Sequence, residues 1–435
     1  MKIGLEVHVA LPTKTKLFCS CGTDASEPNS SICPICMGFP GSKPMLNKEA
    51  LKVAINIASA LGCKITRETS FVRKVYFYPD LPKSYQITQL NDAVGAGGTV
   101  ELSKKAVGIR RIQLEEDPAK VIRGDAYTLL DFNRSGIPLV EIVTEPDIVN
   151  EEELREFLNE LKSILYYLDV DIDKELKVDL NISLDEDRVE IKNVTGLKNL
   201  VDAARFEIKR QQKVIDNGKK VVQETRSYNE KKMQTESSRE KETDEEYGFI
   251  YEPDLTSYET SKFAIAKPII ASKIVAELAK NHKANGKTLL ELVQFDRKSL
   301  DIIERSKEKW PMELIINVVE VLKHAEALDI NADALGRVLA LAKSGTPISE
   351  EIVKRVMSGK DIGEADVNVD QIDAEIKKMI REKSELLIQY EKNPKVFNFI
   401  VGTVAKKFKT NPKFVSQRLS GVIEESFKST ESKAQ

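Results

Sequence analysis

The fold class is decided by three segments between residues 64 and 147: FVRKVYFYP (Phe71–Pro79), TVELSKKAVGIRRIQLEED (Thr99–Asp117) and IPLVEIVTEP (Ile137–Pro146). All three are short runs rich in β-branched and aromatic residues, and Gly and Pro interrupt the chain between them. This pattern predicts an antiparallel sheet.

Further elements flank these runs on both sides. Residues Lys2–Ala10 predict an opening strand, and a helix follows a cap at Asn47 and ends at Gly62. Helices are also predicted over 151–168 and 197–215, with a strand pair between them. We therefore expect an α+β domain over residues 1–257. Within it, the polar stretch 226–247 predicts a solvated loop, a flap or a boundary.

The strand signal vanishes after residue 258, and short amphipathic helical segments replace it. We expect an all-helical domain over 258–363 and a small helical tail over 364–435. Between Lys392 and Arg418 the tail has seven Lys or Arg and no Asp or Glu. Such a stretch suits phosphate contact, but it is also typical of a solvated helical face.

Composition limits the class of protein. The 435 residues are 41% hydrophobic and 31% charged, with a net charge of −3, which is typical of globular proteins and excludes a molecule that attracts nucleic acid as a whole. No apolar run approaches the roughly 18 residues that span a bilayer. The opening residues lack the apolar core of a signal peptide, so we expect a cytoplasmic protein.

Four of the five cysteines crowd into one short segment, as Cys19-Ser-Cys21 and Cys33-Pro-Ile-Cys36 with an eleven-residue spacer. Two tight thiolate pairs suit tetrahedral zinc, and four sulfur ligands leave no position for water. The pattern predicts a structural zinc site. The alternative is four reduced cysteines without a metal.

Acidic residues occur inside three apolar, strand-like surroundings. Glu6 and His8 share one face of the first strand, Glu115 and Glu116 stand at the end of another, and Glu141 lies alone in an apolar run. A buried carboxylate costs several kcal/mol unless it is paired or binds a cation. Converging carboxylates with an imidazole suit Mg²⁺. The alternative is ion pairing with Arg110, Arg111 or Lys120.

Two further segments mix aromatic, amide and cationic side chains. The first region comprises Lys74–Asp80 and Lys83–Gln89. The second is Asp131–Gly136, in which Asn133 and Arg134 precede a glycine turn. These donors suit recognition of a phosphate, a ribose or an amino acid, and they also suit ordinary loop structure. A Walker A loop, a G-x-S-x-G elbow and a Rossmann fingerprint are all absent from the sequence.

In chain order, the sequence resembles one known family through the segments GLEVH, FCSC, CPIC, PGSKPMLN, YFYPDLPKSYQITQ, LEED, DFNRSGIPLVEIVTEPD, VEIKN and YEPDL. The family is the B subunit of the aspartyl/glutamyl-tRNA amidotransferase. The similarity runs from residue 3 to about residue 426, and the basic tail resembles the YqeY-like C-terminal domain of that family. The resemblance implies a cradle-shaped kinase domain followed by helical domains.

The resemblance also implies an activity. In this family the B subunit phosphorylates the side-chain carboxylate of misacylated Asp-tRNA(Asn) or Glu-tRNA(Gln) with ATP and Mg²⁺, and ammonia then displaces the phosphate. The ammonia comes from the A subunit, which is an amidase, and a small C subunit completes the heterotrimer. Clustered acids agree with this chemistry, since phosphoryl transfer depends on positioning and on cations at the phosphates.

Roles follow for individual residues. The resemblance implies magnesium ligands at His8, Glu116 and Glu141, with Glu6 and Glu115 as further acids of the pocket. It implies substrate contacts from Tyr78, Lys83, Tyr85 and Gln86, and zinc ligands at Cys19, Cys21, Cys33 and Cys36. It implies tRNA contacts from the basic tail, through Lys395, Lys406, Lys407, Lys409, Lys413 and Arg418.

Two other interpretations compete with this one. The glutamate-specific E subunit of the same family carries a synthetase-like insertion, for which 435 residues leave no room. A zinc-containing RNA-binding adaptor without catalysis is disfavoured because the carboxylates repel phosphate unless a metal is bound.

Overall fold

The computed structural model describes residues 1–124, 126–170, 176–185, 187–240, 248–360, 369–382, 394–408 and 412–431. The chain divides into two compact units, Met1–Ile270 and Ala271–Gln435. The first unit contains the strands and three α-helices, and the described residues of the second form α-helices joined by loops, without a strand.

The strands all belong to the first unit. They are β1 (Lys2–Ala10), β2 (Lys64–Ile65), β3 (Glu68–Thr69), β4 (Val72–Val75), β5 (Tyr85–Thr88), β6 (Gly95–Glu101), β7 (Ala106–Glu116), β8 (Lys120–Arg123), β9 (Thr128–Asp131), β10 (Pro138–Thr144), β11 (Lys177–Ser183), β12 (Val189–Thr195), β13 (Glu224–Asn229), β14 (Gln234–Glu240), β15 (Gly248–Tyr251) and β16 (Tyr258–Glu259). Nine of them form one large sheet in the order β14-β13-β12-β11-β1-β10-β7-β6-β2. Neighbouring strands of this sheet run antiparallel except for the parallel pair β12 and β13.

Three helices cover one face of the large sheet: α1 (Lys48–Ala60), α2 (Glu151–Tyr167) and α3 (Leu197–Asp216). Asn47 caps α1 by accepting from the backbone N–H groups of Glu49 and Ala50, as the sequence predicts. Alternation along β1 sends Ile3, Leu5 and Val7 into the core beneath these helices. The alternate residues of β1 therefore lie on the opposite, open face.

A second small sheet, in the order β15-β4-β5, belongs to the same unit. Phe71 and Ile87, at its base, are buried in the common core. Arg73 on β4 binds the fully buried Glu252 with two hydrogen bonds of 2.7 and 2.8 Å, and this pair fixes β15 beside β4. The small sheet forms one wall of the open face.

Of the three alternatives predicted for 226–247, the solvated loop and the boundary are wrong for its first part. β13 and β14 form an antiparallel hairpin at the edge of the large sheet. Arg226 is buried there, and it donates to Thr235 at 2.9 Å and lies 3.4 Å from Glu207, which is fully buried on α3. Glu224 lies 2.8 Å from Arg226, and Arg210 lies 2.7 Å from Glu207. This network of paired charges explains why so polar a segment is ordered. Residues 241–247 lie outside the described residues.

The second unit consists of α4 (Ala271–His282), α5 (Gly286–Val293), α6 (Arg297–Ser306), α7 (Met312–His324), α8 (Ala332–Lys343), α9 (Glu350–Met357), α10 (Val369–Glu382), α11 (Pro394–Phe408) and α12 (Pro412–Glu431). The last three pack on one another around a small core that includes Ile376, Ile400, Val404 and Leu419. In the described part of the chain, no helix has both the length and the apolar character that crossing a membrane requires. The predicted α+β class is confirmed, with its mixed N-terminal half and helical C-terminal half.

Candidate active site

The open face of the large sheet carries polar side chains at adjoining positions of neighbouring strands. The register pairs His8 on β1 with Glu141 on β10, and Glu141 in turn with Gln113 on β7. On the other side of β1, His8 faces Lys177 and Glu6 faces Asp179. Residues directly opposite one another in antiparallel strands have Cα atoms about 4.5–5.5 Å apart. Segments far apart in sequence therefore meet at one place.

His8 lies between two carboxylates. Its Nε2 is 3.6 Å from Glu115 Oε1 and 3.9 Å from Glu141 Oε1. Burial lowers the pKa of His8, but the charges of Glu115, Glu141, Asp179 and Glu6 outweigh burial, and the net pKa is raised. An imidazole nitrogen flanked by two carboxylates offers ligand types that a divalent cation accepts, although their atoms do not all lie within 4.8 Å of one another as those of Glu6, Asp179 and Glu190 do.

Glu141 is the acid of this group whose pKa is most clearly displaced. Burial first, and then the nearby charge of Glu115, raise its pKa to about 7. His8 and Arg111 lower it only in part. A carboxylate so poorly solvated is stabilised in its charged form by a cation.

A second group of acids adjoins the first. The carboxylates of Glu6, Asp179 and Glu190 have oxygens that all lie within 4.8 Å of one another. Asn181 donates to Glu6 at 3.1 Å, and the backbone N–H of Asn193 donates to Asp179 at 2.6 Å. Burial raises the pKa of Asp179. The two acid groups share strand β1 through Glu6 and His8.

Both groups line one open cavity of about 720 Å³. Its wall from the small sheet includes Lys74, Tyr76, Gln86 and Thr88. The same cavity is lined by seven basic residues: Lys74, Arg110, Arg111, Arg134, Lys177, Arg188 and Lys192. A cavity lined by both acids and cations suits a ligand that carries phosphate together with a metal ion.

Glu116, the predicted magnesium ligand, is not brought to His8. It follows Glu115 on β7, so its side chain points to the other face of the strand. There it binds Lys83 Nζ at 2.5 and 2.7 Å and accepts from the backbone N–H of Ile87 at 2.8 Å. Lys83 is the cation of this ion pair, and the side chains of both partners are buried. The predicted pocket acid Glu115 occupies the position beside the imidazole instead.

The predicted substrate-lining segment lies only partly at the cavity. Gln86 lines it and donates to the backbone oxygen of Glu116 at 2.8 Å. Tyr85 stacks against the Arg73 guanidinium, 4.6 Å from its ring centroid. Tyr78 is exposed, and the tyrosine of this segment that lines the cavity is Tyr76.

Asn133 and Arg134 have structural partners. Asn133 donates to Glu27 and accepts from the backbone of Ser31, which ties the glycine turn to the cysteine segment. Arg134 lines the cavity, yet it donates to the backbone oxygens of Pro118 and Ala119, both at 2.9 Å. Asn133 therefore holds the fold near the site and is not part of the cavity lining, and its contact with substrate stays a prediction.

The comparisons with known proteins agree on one family. Residues 1–266 match the model of the GatB/GatE catalytic domain. The chain belongs to the GatB/GatE family.

Relatives extend the match to nearly the whole chain. The B subunit of the aspartyl/glutamyl-tRNA(Asn/Gln) amidotransferase of Methanospirillum hungatei is 37% identical, over 93% of this chain and 94% of that protein. The protein of the same name from Sulfolobus acidocaldarius is 36% identical, over 94% and 96%. That of Methanoregula boonei is 48% identical over 58% of this chain and 56% of its own length.

The four clustered cysteines of this GatB/GatE family member form a compact group. Their sulfurs all lie within 4.8 Å of one another, and a zinc tetrahedron with bonds of about 2.3 Å has edges of about 3.8 Å. A hydrogen bond from Cys19 lowers the pKa of Cys36 to about 4. Lys16 is fully buried beside them, and its Nζ lies 3.6 Å from Cys36 Sγ and 3.0 Å from the Phe132 oxygen. The group is suited to a structural zinc ion. Four thiolates around Zn²⁺ leave an excess negative charge, which Lys16 offsets.

The predicted tRNA contacts of the tail differ in their surroundings. Lys406 is exposed on α11, whereas Lys407 pairs with Glu375 at 2.7 Å and Arg418 pairs with Asp373. Lys395 and Lys413 lie on α11 and α12, but their side chains are outside the described residues, as is Lys409 entirely. Of the predicted tail contacts whose side chains are described, Lys406 is therefore the best placed to contact phosphate.

Sequence reasoning missed Asp179 and Glu190. Their signal was present, because KVDLNISL and VEIKN alternate polar with apolar residues at a period of two. The apolar positions Val178, Leu180 and Ile191 are buried. The intervening residues of such strands must then point to the opposite face, and this face is the cavity.

Proposed function

We propose that this chain is the B subunit of a tRNA-dependent amidotransferase, and that the cavity on its open sheet face is where the side-chain carboxylate of misacylated Asp-tRNA(Asn) or Glu-tRNA(Gln) is phosphorylated by ATP. Ammonia then forms the amide as phosphate leaves. The observation that carries this proposal is the convergence of His8, Glu115 and Glu141 within a cavity edged by basic side chains. The family and the names of its B-subunit relatives supply the reaction class.

The residues present fit a magnesium ion. Carboxylate oxygens are the ligands that Mg²⁺ prefers, and His8, Glu115 and Glu141 place two of them beside an imidazole. The raised pKa of the Glu141 carboxyl is the second sign of fit, because a cation relieves the cost of its charged form. When bound, the ion neutralises charge on the phosphate oxygens.

The chain's own residues provide the rest of the chemistry. Lys177 and Arg134 flank Asp117 at 3.8 and 3.4 Å and stand at the cavity wall. Cations at that position would attract a negatively charged phosphoryl group. Because the transfer needs mainly positioning, a rigid sheet face is a suitable platform for it.

Further partners follow from the same proposal. The ammonia comes from the amidase, which is the A subunit, a small C subunit completes the complex, and the basic tail, with Lys406 exposed, contacts the tRNA backbone. The four-cysteine group holds a structural zinc ion. It lies next to the glycine turn that contains Arg134, since Leu17 donates to the Gly136 oxygen at 2.8 Å.

The test is amide formation by the reconstituted complex on both mischarged tRNAs. We expect Glu115→Gln, Glu141→Gln and His8→Ala to abolish ATP-dependent amidation. Glu145→Gln is the matched control, because this acid follows β10 but lies in an exposed ion pair with Arg110. Full activity in the Glu115 and Glu141 variants would refute the proposal. Binding of tRNA without any ATP-dependent product in the wild-type complex would favour the RNA-binding adaptor.

A further inference from the structure

Gln113 lines the cavity, but the proposed reaction assigns no role to its side chain. It lies on β7 directly opposite Glu141 and two residues before Glu115. It is buried, with 6% of its surface exposed, and it lines the cavity. Both carboxylates that are expected to bind the cation are therefore its close neighbours.

The hydrogen bonds of Thr88 fix which way the Gln113 amide points. Thr88 Oγ1 donates to Glu115 Oε2 at 3.2 Å, and a carboxylate can only accept. The hydroxyl of Thr88 must then accept from its other neighbour, and Gln113 Nε2 lies 3.4 Å away. The amino group of Gln113 is turned toward Thr88, and its oxygen is left facing elsewhere.

That oxygen has no hydrogen-bond partner among the described residues. A buried acceptor left unpaired costs about 1–3 kcal/mol, so this arrangement calls for a donor. In the described chain, just two other buried side-chain polar atoms lack a partner, Arg111 Nε and Asn181 Oδ1, and both residues lie on the same open face. The unsatisfied polar groups are thus concentrated where a polar ligand is expected.

The residues near Gln113 indicate what kind of group could donate a hydrogen bond to its side-chain oxygen. Glu115 and Glu141 are acceptors themselves, and they surround His8. A hydrated divalent cation satisfies all of these groups together, because its waters are strong donors and its charge suits the carboxylates. An uncharged donor would satisfy the amide oxygen and leave the carboxylates uncompensated.

We propose that Gln113 is a positioning residue for the metal, whose side-chain oxygen accepts a hydrogen bond from a water on the divalent cation held by His8, Glu115 and Glu141. The proposal rests on the magnesium assignment of the proposed function and adds a neutral oxygen to its surroundings. Such outer partners orient metal-bound groups, and their loss commonly weakens metal binding by about 10–100-fold.

The test is Mn²⁺ binding to the full chain, measured by electron paramagnetic resonance of the free ion without tRNA or ATP. We expect Gln113→Met, which keeps the length and removes the acceptor, to raise the Mn²⁺ Kd by about tenfold or more. Gln113→Asn, which withdraws the same amide by one methylene, should give an intermediate Kd and covers the case in which the Met variant does not fold.

Gln211→Met is the matched control. Gln211 is also buried but lies on α3, where it accepts from the backbone N–H of Leu184 and donates to the Ile182 oxygen and to Glu207. We expect this variant to lose stability and to keep the wild-type Kd for Mn²⁺. If the folded Gln113 variants bind Mn²⁺ as tightly as wild type, or if Gln211→Met weakens binding equally, the role of Gln113 is refuted. A wild-type chain that binds no Mn²⁺ at millimolar concentrations would overturn the magnesium assignment itself.

Discussion

Replacing Glu141 by glutamine should stabilise the metal-free protein at alkaline pH and remove its response to magnesium. Glu141 has 7% of its surface exposed, and burial and Glu115 raise its pKa to about 7, from an ordinary value of 4.5. His8 and Arg111 oppose this shift, and Glu6 adds to it. At alkaline pH the folded protein therefore holds a carboxylate that would be better solvated in the unfolded chain.

The size and sign of the effect follow from the two pKa values. Because the folded pKa lies above the unfolded one, the carboxyl contributes stability that is fully present below about pH 4.5 and is lost as the pH rises through about 7. At about 1.4 kcal/mol per pKa unit, the difference is about 3 kcal/mol. For a unit of this size, about 2–4 °C per kcal/mol gives a Tm change of about 6–12 °C.

Differential scanning calorimetry in EDTA and in Mg²⁺ tests this. At about pH 8 without metal, Glu141→Gln should melt about 6–12 °C above wild type, and at about pH 4 the two should melt together. Mg²⁺ should raise the Tm of wild type and leave the variant almost unchanged. The control is Glu145→Gln, since a hydrogen bond from Arg110 lowers the pKa of Glu145 and no alkaline gain is expected. A metal-free variant that melts at or below wild type at about pH 8 would refute the reasoning.

Three further variants test other parts of the structure. Lys83→Met should lower the free energy of unfolding in urea by about 3–5 kcal/mol, because Glu116 is left buried without its cation; a loss under about 1 kcal/mol would contradict the buried pair. Cys36→Ser should reduce the zinc content, measured by mass spectrometry, from about one ion per chain to almost none, and retained zinc would exclude Cys36 as a ligand. Lys406→Glu should weaken tRNA binding in a filter assay more than Lys407→Glu does, because Lys407 already pairs with an acid on α10; equal effects would argue against this distinction.

Much of the fold could be predicted from sequence because local patterns were strong. Alternation in the first strand, the Asn47 cap and the apolar faces of the helices all agree with the structure. The hairpin β13–β14 could not be predicted, because its order depends on a partner distant in the sequence. The buried Arg226 contacts two acids, the nearby Glu224 at 2.8 Å and the distant Glu207 on α3 at 3.4 Å, and no local pattern predicts the contact with Glu207.

The candidate site also contains residues that local patterns placed correctly and one whose position depends on distant partners. Sequence reasoning placed His8, Glu115 and Glu141 in one pocket, and the structure brings them together. It also assigned Glu116 to the metal; the structure pairs this side chain with Lys83 on the other side of β7, and its role as a ligand stays a prediction. In a run of adjacent acids, alternate residues face opposite sides of the strand. Which residues face the cavity depends on how the strand pairs with its neighbours, and the run itself does not specify this.

The central position of β1 explains why this face is suited to phosphoryl transfer. β1 pairs with β10 on one side and β11 on the other, so Glu6 and His8 meet acids from both neighbours. Two residues along a strand span about 7 Å, and two acid groups at that separation repel each other strongly in a partly buried site. Lys192, 3.6 Å from Glu190, and His8 relieve part of this repulsion, yet the pKa of Asp179 stays raised. A face that gains from further positive charge favours a metal-bound phosphate over RNA backbone alone. A variant with the cavity acids neutralised should therefore bind bare polyphosphate more tightly than wild type does in the absence of Mg²⁺, and the advantage should disappear when Mg²⁺ is added.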